Sequence, residues 1–337
     1  MKNILVSIII VNFNGGKFLK QCLDSLSNQT YKNIEIILVD NASTDGSGDL
    51  IERSYSDSVR LIKNNANYGY ARANNIGIAA SKGKYVMVLN NDTEVLPTML
   101  ESLVKPIEND EQVGMCAPKI LIMRDHKLID STGMGIYSDG TSRQRGWLEQ
   151  DRGQYDQLKD VLLPSGCAAL YRKSMLDQIG YFDERFFAYC EDSDLGLRAR
   201  LAGWKCVFVS EAVVYHYYAG YWRGHSPRKI LMIERNRLLL IIKLFPVLSI
   251  LKSVYYYYLR CIFHIYGVFT HKGVVSEYLK DIPVWRFVLI ILRAKCEAIS
   301  LMPVFIFERI RKKSIPKTSI PFLLKKYAVA VSEIALK

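Results

Sequence analysis

The fold is decided by residues 34–47, IEIILVDNASTDGS, an apolar run that ends in a polar turn. The Ile, Leu and Val residues predict a buried strand, and the Asn, Ser, Thr, Asp and Gly after it are typical of a turn that begins a helix. The same alternation recurs through the first hundred residues. It predicts strands at 5–12, 34–40, 59–63 and 85–90 and helices near 17–27, 48–54, 71–81 and 97–108. Such alternation indicates an α/β protein with a mostly parallel sheet flanked by helices.

Each of the four predicted strands ends in polar residues. Asn14 comes after the first, Asp40 ends the second, Asn64 follows the third, and Asn90 and Asp92 lie at and after the end of the fourth. In open α/β sheets, ligands bind outside the carboxyl ends of the strands. We therefore expect these side chains to line one cleft. Residues 110–165 lack a clear period, so we expect loops and short antiparallel strands there.

The charge divides the chain into two parts. A length of 337 residues suggests about two domains, and an apolar fraction of 50% excludes a largely disordered or collagen-like chain. Residues 228–337 hold 20 of the 45 basic and 6 of the 33 acidic residues, a net +14, which leaves −2 for residues 1–227. We therefore expect one domain over 1–227 that carries the chemistry and a basic region over 228–337. Because the excess of basic over acidic residues lies outside the first part, no nucleic-acid partner is expected.

The basic region combines apolar runs with Lys and Arg. A membrane-spanning helix needs ~20 uninterrupted apolar residues, and none of these runs reaches that length. Amphipathic helices with residues 255–258, Phe263, Trp285 and Phe287 on their apolar faces would instead lie on an anionic membrane surface. A helical region that packs on the first domain, or that forms a homodimer, is the alternative.

The cysteines indicate a reducing compartment. The chain has 7 of them, an odd number without a CxxC pair, so neither a disulfide framework nor a zinc site is indicated. We expect a cytoplasmic protein that is peripheral on the inner face of the cell membrane.

Two acidic motifs carry the candidate chemistry. In residues 90–94, NNDTE, Asp92 follows a rigid strand and could bind Mg²⁺ or Mn²⁺, although a simple turn is the alternative. In residues 188–198, AYCEDSDLGLR, repulsion among Glu191, Asp192 and Asp194 should raise at least one pKa, which suits a general base. The alternative is a capped, solvated start of a helix.

Two cationic residues are weaker candidates. Arg72, in residues 67–77, NYGYARANNIG, would bring a planar cation close to a base or phosphate. His216 ends an apolar run and is either a metal ligand or a packed core histidine.

Six motifs in this order resemble the family 2 glycosyltransferases of the GT-A fold, particularly the rhamnosyltransferase-like branch that builds bacterial surface polysaccharides. The resemblance covers residues 5–240. The motifs are VSIIIVNFN, VDNASTDGS, NYGYARANN, LNNDT, PSGCAALYR and EDSDLGLR. It implies a Rossmann-like GT-A catalytic domain over 1–227 that binds a nucleotide-sugar.

The resemblance also implies roles for donor and metal. Asn14 and Asp40 would contact the nucleoside, with Arg72 assisting. Asp92 matches the last Asp of the family's metal-binding DXD motif, whereas Asn90 stands where the first Asp usually is. His216 matches a histidine that ligates Mg²⁺ or Mn²⁺ in some members.

For catalysis, the resemblance implies that Asp192 is the base, with Glu191 and Asp194 as neighbours that orient or tune it. The turn Gly166–Ala169 would lie beside the donor sugar and the acceptor. The reaction would invert the anomeric carbon and transfer a sugar to a hydroxyl of a glycan or lipid-linked glycan. The resemblance favours rhamnose on thymidine diphosphate (dTDP), with uridine diphosphate (UDP) sugars next.

Other functions fit the sequence less well. A dinucleotide-dependent oxidoreductase or a nucleotidyltransferase loses ground because GxGxxG does not follow the first strand and no GxxxxGK[ST] occurs. A non-catalytic protein that binds a nucleotide-sugar or a glycan stays open, since binding and catalysis would share residues.

Overall fold

The computed structural model describes residues 4–217, 226–311 and 316–336. Its strands are β1 (Val6–Asn12), β2 (Ile34–Asp40), β3 (Val59–Lys63), β4 (Tyr85–Asn90), β5 (Thr93–Val95), β6 (Val113–Ile122), β7 (Asp125–Ser131), β8 (Met134–Ile136), β9 (Ser142–Gln144), β10 (Ala168–Arg172) and β11 (Lys205–His216). Its helices are α1 (Gly16–Ser27), α2 (Ser47–Ser54), α3 (Gly69–Ala80), α4 (Met99–Asn109), α5 (Lys173–Ile179), α6 (Glu191–Leu201), α7 (Pro227–Leu244), α8 (Val247–Phe269), α9 (Gly273–Asp281), α10 (Val284–Arg311), α11 (Ile320–Lys326) and α12 (Val331–Ala335).

The chain divides into two compact units, residues 1–134 with 144–221 and residues 135–143 with 222–337. The sequence-based boundary at 228 rests on a change in composition, and that change does not reveal that the short segment 135–143 groups with the second unit. The domain limits of 1–227 and 228–337 therefore stay a prediction.

The first unit contains a mixed, mostly parallel sheet in the order β3-β2-β1-β4-β10-β6-β11-β5. Strands β1 to β4 are parallel neighbours, β10 runs antiparallel between β4 and β6, and β11 lies parallel to β6. Strand β6 is long enough to have two partners on the same side: β10 pairs with its first half, and β7 pairs with the C-terminal end of β6. This confirms the predicted α/β class and brings the ends of β1, β2 and β4 to one edge.

Alternate residues of β1 enter opposite faces of the core. Ile8 and Ile10 pack with Leu19 and Leu23 of α1, whereas Ile9 packs with Ala73 of α3 on the other face. Because both faces of the strand are covered, a continuous apolar run is what the position requires. The strand is thereby fixed along its length, and so is the polar loop at its end.

The first hundred residues fold as their pattern predicts, with strands at Ile34–Asp40, Val59–Lys63 and Tyr85–Asn90. The expectation for 110–165 was wrong in part, because Val113–Ile122 is a ten-residue strand inside the sheet. Its sequence, VGMCAPKILI, hides this because Gly, Pro and Lys interrupt the apolar pattern. Lys119 is buried there and pairs with Asp151 at 2.9 Å and Asp156 at 2.8 Å.

The second unit consists of α7 to α12 and the segment 135–143. A buried ionic network stabilises it: Arg260 Nε donates to Asp139 Oδ2 at 2.7 Å, and Arg260 Nη2 donates to Glu234 Oε1 at 3.0 Å. The two guanidinium groups of Arg237 and Arg260 lower the pKa of the buried Glu234 to about 2, against the upward effect of its burial. Among the described residues, no helix is long and apolar enough to cross a membrane.

Candidate active site

A buried asparagine joins the strand ends. Asn12 closes β1, and its Nδ2 lies 2.9 Å from Asp40 Oδ1, 3.1 Å from Ser43 Oγ and 2.8 Å from Ser47 Oγ. Its Oδ1 accepts from Asn91 Nδ2 at 2.7 Å. The side-chain amide of this one residue therefore links the C-terminal ends of β1 and β2 and the loop after β4 in a single hydrogen-bond network.

Asn14 and Asp40, the residues predicted to contact the nucleoside, meet at Ser43. Asp40 is buried, and its Oδ2 accepts from the Ser43 amide at 3.0 Å. Asn14 is exposed and left-handed, with φ of 51°. Its amide donates to Ser43 Oγ at 2.9 Å, and its Oδ1 accepts from the Thr44 amide at 2.8 Å. The structure brings the two residues together, and their contact with a nucleoside stays a prediction.

Arg72 lies in the first turn of α3 and is half exposed. Its guanidinium lies 4.1 Å from the centre of the Tyr68 ring and 3.7 Å from Glu184 Oε2. Stacking and the ion pair hold the planar cation in place at the rim of the sheet.

Asp92 and His216 form a buried pair at the end of the sheet. Strand β11 pairs antiparallel with β5, and His216 stands opposite Thr93, the residue after Asp92. His216 Nε2 consequently lies 3.4 Å from Asp92 Oδ1. The amide of Tyr217 donates to the Asp92 carbonyl at 3.0 Å, which fixes the two chain segments to each other.

The pair fits a hard divalent cation. Metal–ligand bonds of about 2.1 Å place adjacent ligands of an octahedral ion about 3 Å apart, close to the 3.4 Å between Asp92 Oδ1 and His216 Nε2. Burial by itself would lower the pKa of His216, but Cys167, Asp130 and Asp92 together raise it well above its usual value. The cluster therefore attracts positive charge, and a bound cation would supply it.

Cys167 and Asp130 complete the acidic surroundings of the histidine. The ligand atoms of Asp130, Cys167 and His216 all lie within 4.8 Å of one another. Burial raises the pKa of the Cys167 thiol, which keeps it protonated and a weak ligand for Mg²⁺ or Mn²⁺. A carboxylate and an imidazole are the better ligands, so Asp92 and His216 are the residues that could hold the metal.

Asp192 lies at the start of α6, where two backbone amides hold its carboxylate. Its Oδ2 accepts from the Gly166 amide at 3.0 Å and its Oδ1 from the Ser193 amide at 2.6 Å. Burial raises the pKa of Asp192, although these amides act in the opposite direction. A fixed carboxylate with a raised pKa has the properties of a general base.

The other two acids of the motif have different surroundings. Glu191 is buried, and burial together with the charge of Asp192 raises its pKa well above the usual range. Asp194 is fully buried, and its Oδ2 accepts from Arg198 Nε at 2.8 Å. Asp194 thus stabilises a turn of α6 through an ion pair within the helix. Glu191 is instead the immediate neighbour of Asp192.

The turn at Gly166 and Cys167 connects the candidate base with the candidate metal pair. The Gly166 amide binds Asp192, and the next residue, Cys167, belongs to the cluster around His216. The Cys167 carbonyl also accepts from the amide of Asn90 at 2.8 Å, which places Asn90 at this junction. A Cβ at Gly166 would lie 3.2 Å from Asp192 Oδ2, so the glycine permits the close approach.

Asn12, Asn91 and Asp130 were not predicted as site residues. Asn12 and Asn91 did carry a signal, since both belong to polar strand ends. Asp130 carried none, because it lies 86 residues before His216 in a region without a clear period.

A mostly parallel sheet with a carboxylate–histidine pair at its edge, and with the carboxylate of Asp192 in the first turn of α6, defines a glycosyltransferase of the GT-A fold. A solved structure agrees: GalNAc-T7 with UDP, GalNAc and Mn²⁺ superposes with a TM-score of 0.60 at 17% identity, over 94% of this chain and 59% of that chain. At this identity, the likeness establishes the fold.

The chain belongs to glycosyl transferase family 2, whose model matches residues 7–180. It is 36% identical over 109 residues to glycosyltransferase GlyG of Streptococcus pneumoniae serotype 4, a match that covers 32% of this chain and 36% of that protein. It is 30% identical over 242 residues to an N-acetylglucosaminyl-diphospho-decaprenol L-rhamnosyltransferase of Mycobacterium tuberculosis, covering 64% of this chain and 76% of that protein. The family and the rhamnosyltransferase-like resemblance are thereby confirmed.

Proposed function

We propose that this glycosyltransferase is inverting and metal-dependent, and that it transfers a sugar from a nucleoside diphosphate to a hydroxyl of a cell-surface glycan. The supporting observation is the turn at Gly166 and Cys167, which joins Asp192 to the surroundings of Asp92 and His216. A base and a cation are needed on the two sides of an anomeric carbon, one at the attacking oxygen and one at the leaving diphosphate.

Asp192 takes the proton from the acceptor hydroxyl as its oxygen attacks the anomeric carbon. Both carboxylate oxygens already accept one amide hydrogen each, which fixes the orientation and leaves further lone pairs for the acceptor. The raised pKa of the neighbouring Glu191 favours its neutral form, which avoids a second negative charge next to the base. A single displacement of this kind inverts the anomeric configuration.

Asp92 and His216 would hold Mg²⁺ or Mn²⁺, with Asn90 beside them at the end of β4. When bound, the cation offsets the negative charge of the diphosphate leaving group. Asp40 accepts hydrogen bonds from the imide of a pyrimidine or from ribose hydroxyls, and Asn14 and Arg72 border the same edge of the sheet.

We take the donor to be rhamnose on dTDP, with UDP sugars second, and the acceptor to be a lipid-linked glycan. The similarity to a protein named as a rhamnosyltransferase with a decaprenol-linked acceptor supports both choices. A lipid-linked acceptor would also explain a membrane-facing surface on the second unit.

That surface is an exposed apolar stripe on α8. Its large side chains recur every three or four residues and are 58–80% exposed: Leu248, Leu251, Tyr255, Tyr258, Ile262, Tyr266 and Phe269. On α10, Trp285, Leu292, Ile299 and Ile306 recur every seven residues. Because the region 228–337 also carries a net +14, we assign the stripe to an anionic lipid surface on the cytoplasmic face of the membrane.

The donor is tested with a panel of nucleotide-sugars. We expect dTDP-rhamnose with Mn²⁺ to raise the melting temperature of the full chain more than UDP- or GDP-sugars do, because tighter binding stabilises the folded state more. Transfer to a lipid-linked acceptor is then followed by mass spectrometry. Stabilisation by a GDP-sugar alone would refute the assignment to a pyrimidine nucleotide.

A further inference from the structure

His216 has a carboxylate at each of its ring nitrogens. Nε2 lies 3.4 Å from Asp92 Oδ1, and Nδ1 lies 2.7 Å from Asp130 Oδ2. The shorter distance is that of a direct hydrogen bond, whereas the longer one is close to the separation of about 3 Å between two adjacent ligands of one cation. A carboxylate only accepts, so the hydrogen of this bond belongs to Nδ1, and Nε2 is the ring nitrogen that faces Asp92.

The pairing of three strands brings Asp130 to this position. β6 pairs with β11 on one side, with Ile122 opposite His216, and with β7 on the other, with Ile120 opposite Ser131. Asp130 and His216 therefore approach each other across the end of β6. Both are buried, which removes water as a competitor for the hydrogen bond.

A direct role of Asp130 as a metal ligand fits the geometry less well. Its Oδ2 is already engaged by His216 Nδ1, on the side of the ring opposite to Asp92. Cys167, the third member of this cluster, offers a soft sulfur atom, which is a poor ligand for a hard cation.

We infer that Asp130 is a positioning residue that holds the His216 ring and keeps its hydrogen on Nδ1, so that Nε2 faces the metal beside Asp92. This rests on the proposed metal site. Ligating histidines commonly donate their second nitrogen to a carboxylate, and loss of such a partner typically weakens metal binding about 10- to 100-fold.

The inference is tested by Mn²⁺ binding to the full chain, followed by electron paramagnetic resonance without any donor sugar. We expect Asp130→Ala to weaken Mn²⁺ binding about 10- to 100-fold. Asp130→Asn should weaken it less, because the amide oxygen still accepts from Nδ1. The control is Asp125→Ala, which removes an exposed carboxylate from the same strand and should leave binding unchanged.

A second readout is the ¹⁵N spectrum of His216 in the Mg²⁺-loaded protein, identified by its loss in His216→Ala. We expect the hydrogen on Nδ1 in the unaltered chain and in Asp130→Asn, and a mixture of the two tautomers in Asp130→Ala. The spectrum also shows whether each variant is folded.

Unchanged Mn²⁺ affinity in both Asp130 variants, together with a loss in Asp92→Asn, would overturn the inference and leave the metal site intact. A loss in Asp130→Asn as large as that in Asp92→Asn would make Asp130 a ligand and would also overturn it. Unchanged affinity in Asp92→Asn would overturn both the metal site and the inference.

Discussion

Asp192 combines a raised pKa with a fixed orientation. We expect Asp192→Asn to lower kcat by at least about 100-fold, since general-base help is typically worth ~10²–10⁴, while Kd for the nucleotide changes little. The change is isosteric, and the amide oxygen can still accept from Gly166 or Ser193. Single-turnover kinetics and calorimetry separate the two quantities.

Asp57→Asn is the matched control, because this carboxylate is exposed on the loop before β3. It should keep full activity. An Asp192→Asn enzyme that retains more than about a tenth of kcat would contradict the assignment of the base.

The raised pKa of Asp192 predicts a pH dependence. Burial shifts the pKa upward, and a base works only when deprotonated, so kcat/KM should fall as the pH drops through this raised value. The acidic limb should therefore lie above the ordinary Asp pKa of about 3.9. Rates are measured at saturating Mn²⁺ at each pH, and a profile that stays flat down to pH ~4 would exclude a raised pKa.

The sequence predicts a site residue only where its position relative to a predicted strand or helix already indicates that it lies at the edge of the sheet. Asp40 and Asp92 follow strands, which marks them as residues of the sheet edge. Asn12 and Asp130 acquire their importance from partners that are distant in the sequence, such as Asn91 for Asn12. Which residues become partners depends on how distant segments of the chain pair, and a single sequence does not reveal that pairing.

Strands and helices, too, were predicted correctly where the local sequence is sufficient and missed where distant residues are involved. The strands 34–40, 59–63 and 85–90 were predicted with the bounds that the structure has, because their apolar runs are short and end in turn residues. Strand β6 was missed because a lysine in a run normally indicates exposure. Lys119 is instead buried with two carboxylates, and that compensation comes from residues 151 and 156, far along the chain.

The start of α3 provides a test of local geometry. Gly69 has φ of +80°, and a Cβ there would meet the Phe187 carbonyl oxygen at 2.6 Å. Gly46, before α2, has φ of +79° and nothing within 4 Å of its Cβ position. We expect Gly46→Ala to cost about 1–2 kcal/mol of unfolding free energy through backbone strain alone, and Gly69→Ala to cost clearly more.

Urea unfolding of the two variants measures the difference. The pair is matched in backbone conformation, so the excess for Gly69→Ala reports the contact with Phe187. Equal losses would show that this contact does not constrain the entry to α3.

On the scale of the whole molecule, the charge asymmetry and the stripe on α8 predict membrane binding. We expect the full chain to sediment with vesicles that contain phosphatidylglycerol, and much less with neutral vesicles. Binding should weaken as NaCl rises, because salt screens the attraction between basic side chains and anionic lipid.

The apolar part of this binding is tested with Leu251→Glu combined with Ile262→Glu, which should abolish sedimentation. The control combines Leu148→Glu with Leu158→Glu, two exposed leucines of the first unit, and should bind as before. Vesicle binding unaffected by the α8 changes would contradict the proposal. Loss of a dimer in sedimentation velocity, without an effect on vesicles, would assign the stripe to a second copy of the chain.

In the mechanism that we propose, sugar transfer depends on a divalent cation held by Asp92 and His216 and on the base Asp192. The most direct measurement is the release of nucleoside diphosphate from the best donor in the panel, with its acceptor, after chelation of divalent metal and after return of Mn²⁺. We expect chelation to stop release, Mn²⁺ to restore it, and Asp92→Ala to stay inactive at Mn²⁺ concentrations that saturate the unaltered enzyme. Undiminished transfer by the chelated enzyme would contradict this mechanism.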